Sequence, residues 1–193
     1  MNESDRRRQI VQHKMTDWER WRDPCQLLAK WQKRANAAAK MIPASATVLD
    51  LGCGAMSLER ELPQQCTYIP CDLIARDQRT IVCDFNGDNL PVLSNVTHVA
   101  ILGVLEYILD CDRFIRDVAK FNCPIVASYH PVDCTSNWDR GSQGWVNAFS
   151  RRELTELFGA AQYAILKRVL LDSHQELMYV INKKKEDQPE LIS

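Results

Sequence analysis

The stretch VLDLGCGAM, Val48 to Met56, places two glycines one residue apart directly after an apolar run, with an aspartate two residues ahead of the first. The apolar run reads as a strand and the glycines as the tight turn that follows it. In an open α/β sheet such a turn lies at the carboxyl edge, where ligands bind. Glycine has no Cβ, so the backbone can approach a ligand closely there. A dinucleotide fingerprint would continue to a third glycine, G-x-G-x-x-G, but that place is taken by Ser57. Asp50 also sits where a pyrophosphate would be repelled. The loop suits a ligand that carries positive charge.

Working outward, short apolar runs predict strands near Thr47–Leu51, Thr67–Cys71, Thr80–Cys83, His98–Leu102 and Pro124–Tyr129. Helical segments fit Met56–Leu62, Val104–Leu109 and Cys111–Phe121, and the alternation predicts an α/β fold with a mainly parallel sheet. Between Asp72 and Ile81 there is little room for a helix. Ser150 and Glu153 form a capping-box pattern opening a helix that Gly159 closes. Two strand-like runs finish the pattern, Gln162–Leu171 and Glu176–Lys183. Only a short turn separates them, so they form an antiparallel hairpin.

Two further acids close predicted strands. Asp72 follows Asp50 by 22 residues, and a carboxylate about 20 residues beyond such a turn can accept hydrogen bonds from ribose hydroxyls. Asp84, in IVCDFN, is placed to accept from an exocyclic adenine amine. S-adenosylmethionine has an ammonium, a sulfonium, a ribose and an adenine but no phosphate, and so fits this set.

On VLDLGCG, YIPCD, IVCDFN and ILGVLEYI (Ile101 to Ile108), from about Arg34 to Lys183, the chain resembles the class I S-adenosylmethionine-dependent methyltransferases. Within them it looks most like small bacterial members, some tied to saccharide or secondary metabolism. The resemblance implies a Rossmann-like, seven-stranded, mostly parallel sheet of order 3-2-1-4-5-7-6, with helices on both faces. It assigns Asp50, Gly52, Cys53 and Gly54 to the methionine end of the cofactor, Asp72 with Leu73 to the ribose, and Asp84 with Phe85 to the adenine. Gly103, Leu105 and Glu106 would lie beside the sulfonium and the acceptor, although Leu105, Tyr107 and Ile108 also fit plain packing of that segment. The chain departs from the family at Met56, where a third loop glycine is common, and in the short segment after Asp72.

Methyl transfer is an in-line displacement at an activated carbon, so the protein has chiefly to align the reactants and exclude water. A base is needed only for a hydroxyl or a protonated amine. His130 follows the fifth strand in IVASYHP and is the candidate, with Tyr129 a possible hydrogen-bond donor; a strand-end histidine bonded to backbone is the plainer alternative. His98 and His174 read as structural or surface residues. In the long connection Pro131–Phe149, the side chains of Trp138, Trp145 and Asn147 suit an acceptor wall or anchors that pin the loop. The acceptor read from this pattern is a small molecule or saccharide methylated on O or N. The Asn/Asp-Pro-Pro-Tyr tetrapeptide of nucleobase amino-methyltransferases is absent, with Leu102-Gly103-Val104-Leu105 in its place.

The first 42 residues read as helical, an extension that packs on the core or caps the site. Asp23 caps a helix with Pro24 at its first position; Leu27 or Leu28, Trp31, Ala35, Ala38 and Ile42 follow at helical spacing, and Pro43 ends the run. Trp18 and Trp21 share a face, for docking or as part of a lid. Residues 43–185 form the cofactor-binding domain and 186–193 a tail. The 193 residues carry a formal net charge of −1, which gives no reason to expect nucleic acid. Arg6-Arg7-Arg8 and Lys183-Lys184-Lys185 read as solvated tails. No apolar run reaches the roughly 20 residues of a membrane span, and the N-terminus lacks the apolar core of a secretory signal, so the expectation is a cytoplasmic protein. The eight cysteines contain no C-x-x-C pair, which predicts reduced core thiols and no metal site. A cofactor-binding protein without turnover and a nicotinamide-dependent oxidoreductase are the competing readings.

Overall fold

Alternation along β1 (Thr47–Leu51) sets the layers. Successive strand side chains point to opposite faces. Leu49 and Leu51 enter one apolar cluster and Val48 the other, while Asp50 shares the face of Val48. The computed structural model describes residues 2–27, 31–172 and 174–185. Leu28 and residues 186–193, named above, lie outside them.

The remaining strands are β2 (Thr67–Asp72), β3 (Ile81–Val82), β4 (His98–Leu102), β5 (Ile125–Tyr129), β6 (Tyr163–Leu171) and β7 (Gln175–Asn182). They form one seven-stranded sheet of order β3-β2-β1-β4-β5-β7-β6. The pairs from β3 to β5 are parallel, and β7 runs antiparallel to both β5 and β6. Every residue of β4 and β5 is buried, as central parallel strands covered on both faces should be. The order and the closing hairpin are those the family resemblance implied.

The helices are α1 (Glu3–Gln12), α2 (Trp18–Arg22), α3 (Gln32–Ala39), α4 (Ser57–Glu61), α5 (Cys111–Ala119) and α6 (Arg151–Ala160). On one face Phe114, Ile115 and Val118 of α5 and Leu154 and Phe158 of α6 pack on Leu49, Ile101, Ile125 and Met178. On the other, Ala35, Ala38 and Ala39 of α3 and Leu58 of α4 pack on Val48, Ala100, Leu102 and Val126. That second face brings α3 over Asp50.

Several expectations are corrected. Asp23 caps only a single 3₁₀ turn, Pro24–Gln26; Leu27 is extended, and α3 begins afresh at Gln32. Val104–Leu109 contains one 3₁₀ turn, Leu105–Tyr107, in place of a longer helix. The capping box of Ser150 and Glu153 forms in both directions, worth roughly 1 kcal/mol. The helix it opens runs past Gly159 to Ala160, and the left-handed turn falls on Gln162 at φ 65°. The Arg6-Arg7-Arg8 cluster is not a solvated tail, because it fastens α1. Arg6 pairs with Asp17 at 2.7 Å and Arg8 with Asp139 at 2.7 Å, and Arg7 bonds Gln26 at 3.0 Å. Cys53, Cys71, Cys83, Cys111 and Cys123 are buried thiols. Among the described residues no helix is long and apolar enough to cross a membrane, and no group of acidic, histidine and cysteine side chains is set to hold a metal ion.

Candidate active site

Two adjoining cavities open at the carboxyl edge of the sheet, of about 120 Å³ and about 300 Å³. They share Trp31, Arg34, Gly103 and Tyr107.

The smaller cavity is built on the glycine loop. Gly52 follows β1 at φ 83°, and a Cβ there would lie 2.3 Å from Val104 Cγ2, so only glycine fits without displacement. Met56, standing where the family has glycine, adopts φ 53° and ψ 36° at the start of α4. Asp50 is buried and accepts the Tyr68 hydroxyl on Oδ2 at 2.7 Å. Its Oδ1 has no hydrogen-bond partner among the described residues. Burial pushes its pKa up to about 7, against the opposing hydrogen bond from Tyr68 and the field of Arg34.

Asp72 ends β2 in the same cavity, but its oxygens are already engaged. Oδ2 accepts Gly54 N–H at 2.7 Å; Oδ1 accepts Ile74 N–H at 3.2 Å and Arg76 Nη2 at 3.1 Å. A carboxylate offers about four acceptor directions, so room for a ribose hydroxyl is narrow. Arg76 also donates to Trp21 O at 3.0 Å, tying the short β2–β3 connection to α2. Asp84 accepts Asn86 N–H at 2.9 Å and Thr16 Oγ1 at 3.1 Å. Cys53, Leu73, Phe85 and Gly103 line the cavity with these acids. Leu105 does not: it is fully buried in the core, because the 3₁₀ turn points it inward.

The larger cavity is built from parts distant in sequence. His130 follows β5, and its Nδ1 lies 2.8 Å from Oε1 of Glu106, which also accepts the His130 backbone N–H at 3.1 Å. Glu106 is 1% exposed and His130 17%. Glu106 therefore faces the second cavity and His130, not the first. The His130 ring stacks on Trp145 at 4.7 Å, and Trp138 on Trp145 at 5.9 Å. A proton on Nδ1, donated to Glu106, leaves Nε2 as the acceptor.

Two expected site residues are structural. Tyr129 is fully buried; its hydroxyl donates to Asn147 Oδ1 at 2.5 Å and accepts from Arg140 at 2.9 Å and from Phe149 N–H at 3.0 Å. No free direction is left for a reactant. Asn147 donates to Leu105 O at 2.6 Å and Ile108 O at 3.2 Å, which fixes the loop and keeps it from the acceptor wall. His98 is buried against Thr97, and burial pushes its pKa down to about 4. His174 lines the larger cavity, its ring 5.0 Å from Trp138. Trp21 lines the smaller cavity and meets Tyr107 edge-on at 5.0 Å, whereas Trp18 is 38% exposed. They therefore do not share one buried face. Ile108 lines the smaller cavity too.

Sequence reasoning passed over Arg34 and Arg76 as site residues and read Tyr107 only as packing. Trp31 and Arg34 stand three apart at the start of α3, spacing that puts them on one helix face. That spacing was the available signal, but Trp31 read simply as part of the apolar stripe.

No protein-family model matches the chain, and no curated protein sequence matches it. Solved structures do. Human N-acetylserotonin methyltransferase in complex with S-adenosylmethionine superposes with a TM-score of 0.64 at 14% identity, over 90% of this chain and 57% of that one. An O-methyltransferase from neocarzinostatin biosynthesis, bound to S-adenosylmethionine and 2-hydroxy-5-methyl naphthoic acid, gives 0.63 at 17%, over 90% and 63%. The Burkholderia thailandensis 1,6-didemethyltoxoflavin-N1-methyltransferase gives 0.61 at 16%, over 77% and 76%. The chain thus spans less than two thirds of the length of the first two. At such identities the likeness is one of fold: the protein has the class I methyltransferase fold.

Proposed function

We propose that the protein is a methyltransferase that uses S-adenosylmethionine and methylates an O or N atom of a small-molecule or saccharide acceptor by in-line displacement. The observation that carries this reading is the meeting of the two cavities at Trp31, Arg34, Gly103 and Tyr107. Group transfer needs two ligands to abut, and here an acid-lined cavity abuts one walled by two histidines and three tryptophans. Solved neighbours of this fold bind S-adenosylmethionine, as their names state.

The residues fit that cofactor. The unpartnered Oδ1 of Asp50 suits its ammonium, Gly52, Cys53 and Gly54 the methionine end, Asp72 and Leu73 the ribose, and Asp84 and Phe85 the adenine. When bound, the cofactor supplies an activated methyl carbon. Gly103 walls that position, and Trp138 and Trp145 shield the acceptor from water. His130 takes the acceptor's proton on Nε2, and Glu106 holds the ring through Nδ1. Tyr129 has no part in this reading. Residues 1–42 cap the two cavities and 43–185 form the cofactor-binding domain, in a cytoplasmic protein whose cysteines stay thiols.

A second reading, a cofactor-binding protein without turnover, draws on the engagement of Asp72 by Arg76. The nicotinamide alternative suffers from the buried Asp50 behind the glycine turn. Calorimetric titration with S-adenosylmethionine, S-adenosylhomocysteine and NADH tests the assignment. Saturable binding of the first two alone is expected, and binding of NADH alone overturns it. Methyl transfer to any member of an acceptor panel rules out the second reading.

A further inference from the structure

Arg20 is a buried cation without a counter-ion. It stands on α2, is 8% exposed and lines the larger cavity. Its Nη1 donates to Gln143 O at 2.7 Å, and its Cζ lies 4.5 Å from the centre of the Trp21 ring and 5.3 Å from that of Tyr107. Gly144 makes room for the group, since a Cβ there would sit 3.0 Å from Nη1. Those contacts place the guanidinium but do not neutralise it. Asp17 and Glu19, its neighbours in the chain, both turn to Arg6, at 2.7 Å and 3.4 Å. Among the described residues no carboxylate lies within ion-pair distance of Arg20, and its Nη2 has no acceptor.

A buried charge is normally paired, and a guanidinium bonds most strongly to an ionised acceptor. The rest of the lining says which kind. With the histidines neutral, Arg20, Lys33 and Arg34 stand against Glu106 and Asp172, three cations to two carboxylates, a net charge of +1. Both carboxylates are engaged, Asp172 by Lys33 at 3.6 Å and Glu106 by His130 at 2.8 Å. Gln175 adds a buried Nε2 that has no acceptor among the described residues. A single negative charge completes this lining, whereas a phosphate ester, with a charge of about −1.5 to −2, overshoots it. We infer that the acceptor bears a carboxylate and that Arg20 binds it through Nη2. This rests on the reading of the larger cavity as the acceptor site. Arg20 then selects which acceptor enters, while His130 serves the atom that is methylated.

The test is calorimetric titration of the full chain, with S-adenosylhomocysteine present, using matched probes: 2-hydroxybenzoate against 2-hydroxybenzamide, and glucuronate against glucose. The members of each pair differ at the carboxylate, and the two pairs tell an aromatic acid from a sugar acid. The wild type should bind the carboxylate member of one pair or both roughly tenfold tighter than its neutral twin, the weight of one hydrogen bond to a charged group. Arg20→Gln should erase that preference and leave the neutral twin and S-adenosylhomocysteine within about twofold of wild type. A residue that only pins the loop would move all of them together. Arg20→Lys should keep part of the preference, since an ammonium keeps the charge and loses the planar fork. If Arg20→Gln does not fold, Arg20→Lys carries the comparison, with a selective loss for the carboxylate member expected. No carboxylate preference in either pair, equal losses for both members of a pair, or tighter binding of glucose 6-phosphate than of glucuronate overturns the proposal. Failure of the wild type to bind S-adenosylhomocysteine overturns the cofactor reading instead, and the probe pairs, titrated without it, still decide the role of Arg20.

Discussion

The two cavities differ in how they are made. The smaller one takes its acids and glycines from strand ends, Asp50 with Gly52–Gly54, Asp72 with Leu73, and Asp84 with Phe85, and is closed by Trp21 of α2 and by Arg34 and Ala35 of α3. Its chemistry is written in short motifs, and its strain is local: a buried carboxylate at Asp50 and a left-handed methionine at Met56. The larger one is assembled from α2, α3, the turn after β4, the end of β5, the loop of Trp138 and Trp145, and the β6–β7 hairpin. Its lining comes in short pieces from separate parts of the chain, among them Lys33–Arg34, Glu106–Tyr107 and Leu170–Asp172. One cavity is centred on a strand edge; the other is put together from separate elements. The first should respond to substitution through affinity and stability, the second through turnover.

The sharpest break in that contrast lies at His130. With an acceptor found by screening, His130→Gln should lower kcat by roughly 10²- to 10⁴-fold, the usual weight of a general base, with cofactor affinity unchanged. A fall in cofactor affinity with kcat retained would merge the two cavities into one function.

Next in size is the pH dependence set by Asp50. Its folded pKa of about 7 lies above the ordinary aspartate value of 3.8, so between those values the folded chain holds a proton that the unfolded chain has lost. That stabilisation is full below about pH 4 and is lost as pH rises through about 7. His98 acts in the opposite sense, its lowered pKa costing stability as pH falls from 6.5 towards 4, but it is common to both proteins. Relative to Asp50→Asn, the wild type should therefore lose on the order of 4 kcal/mol between pH 4 and 8. Denaturant titrations at the two pH values measure this, and parallel pH profiles would refute it. The same variant should bind the cofactor more weakly, having lost the charge that faces the ammonium.

The smallest effect belongs to Met56. A residue with a Cβ in the left-handed region costs about 1 kcal/mol, partly offset in glycine by the entropy of the unfolded chain. Met56→Gly should raise stability by roughly 0.5 kcal/mol and move Tm up slightly, with turnover little changed. A lower Tm would mean that its side-chain contact with Arg79, at 3.8 Å, outweighs the backbone strain.

Most of the fold was legible. The short apolar runs, the capping box at Ser150 and the short turn between β6 and β7 are local signals, and each strand and helix they mark is present. The strand-end acids were legible for the same reason. What misled was also local: Pro24 marks a helix start, but only one 3₁₀ turn precedes the extended Leu27, and Gly159 marks an end that the chain overruns by a residue. Tyr129 alternates to one face of β5 as expected, but that face is filled by Arg140, Asn147 and Phe149.

By itself the sequence determined the strands, the closing hairpin and the acid-lined edge, because these follow from apolar runs and turn chemistry within a few residues, while the strand order came from the family resemblance. The tertiary structure decided which side chains share a cavity. Glu106 meets His130 because β4 and β5 are neighbours and their ends coincide. Arg34 reaches Gly103 because α3 packs on the Asp50 face of the sheet, and Arg8 reaches Asp139 because α1 folds back over the loop. Such contacts join residues far apart in the chain, and no local pattern of hydrophobicity or charge specifies them in advance.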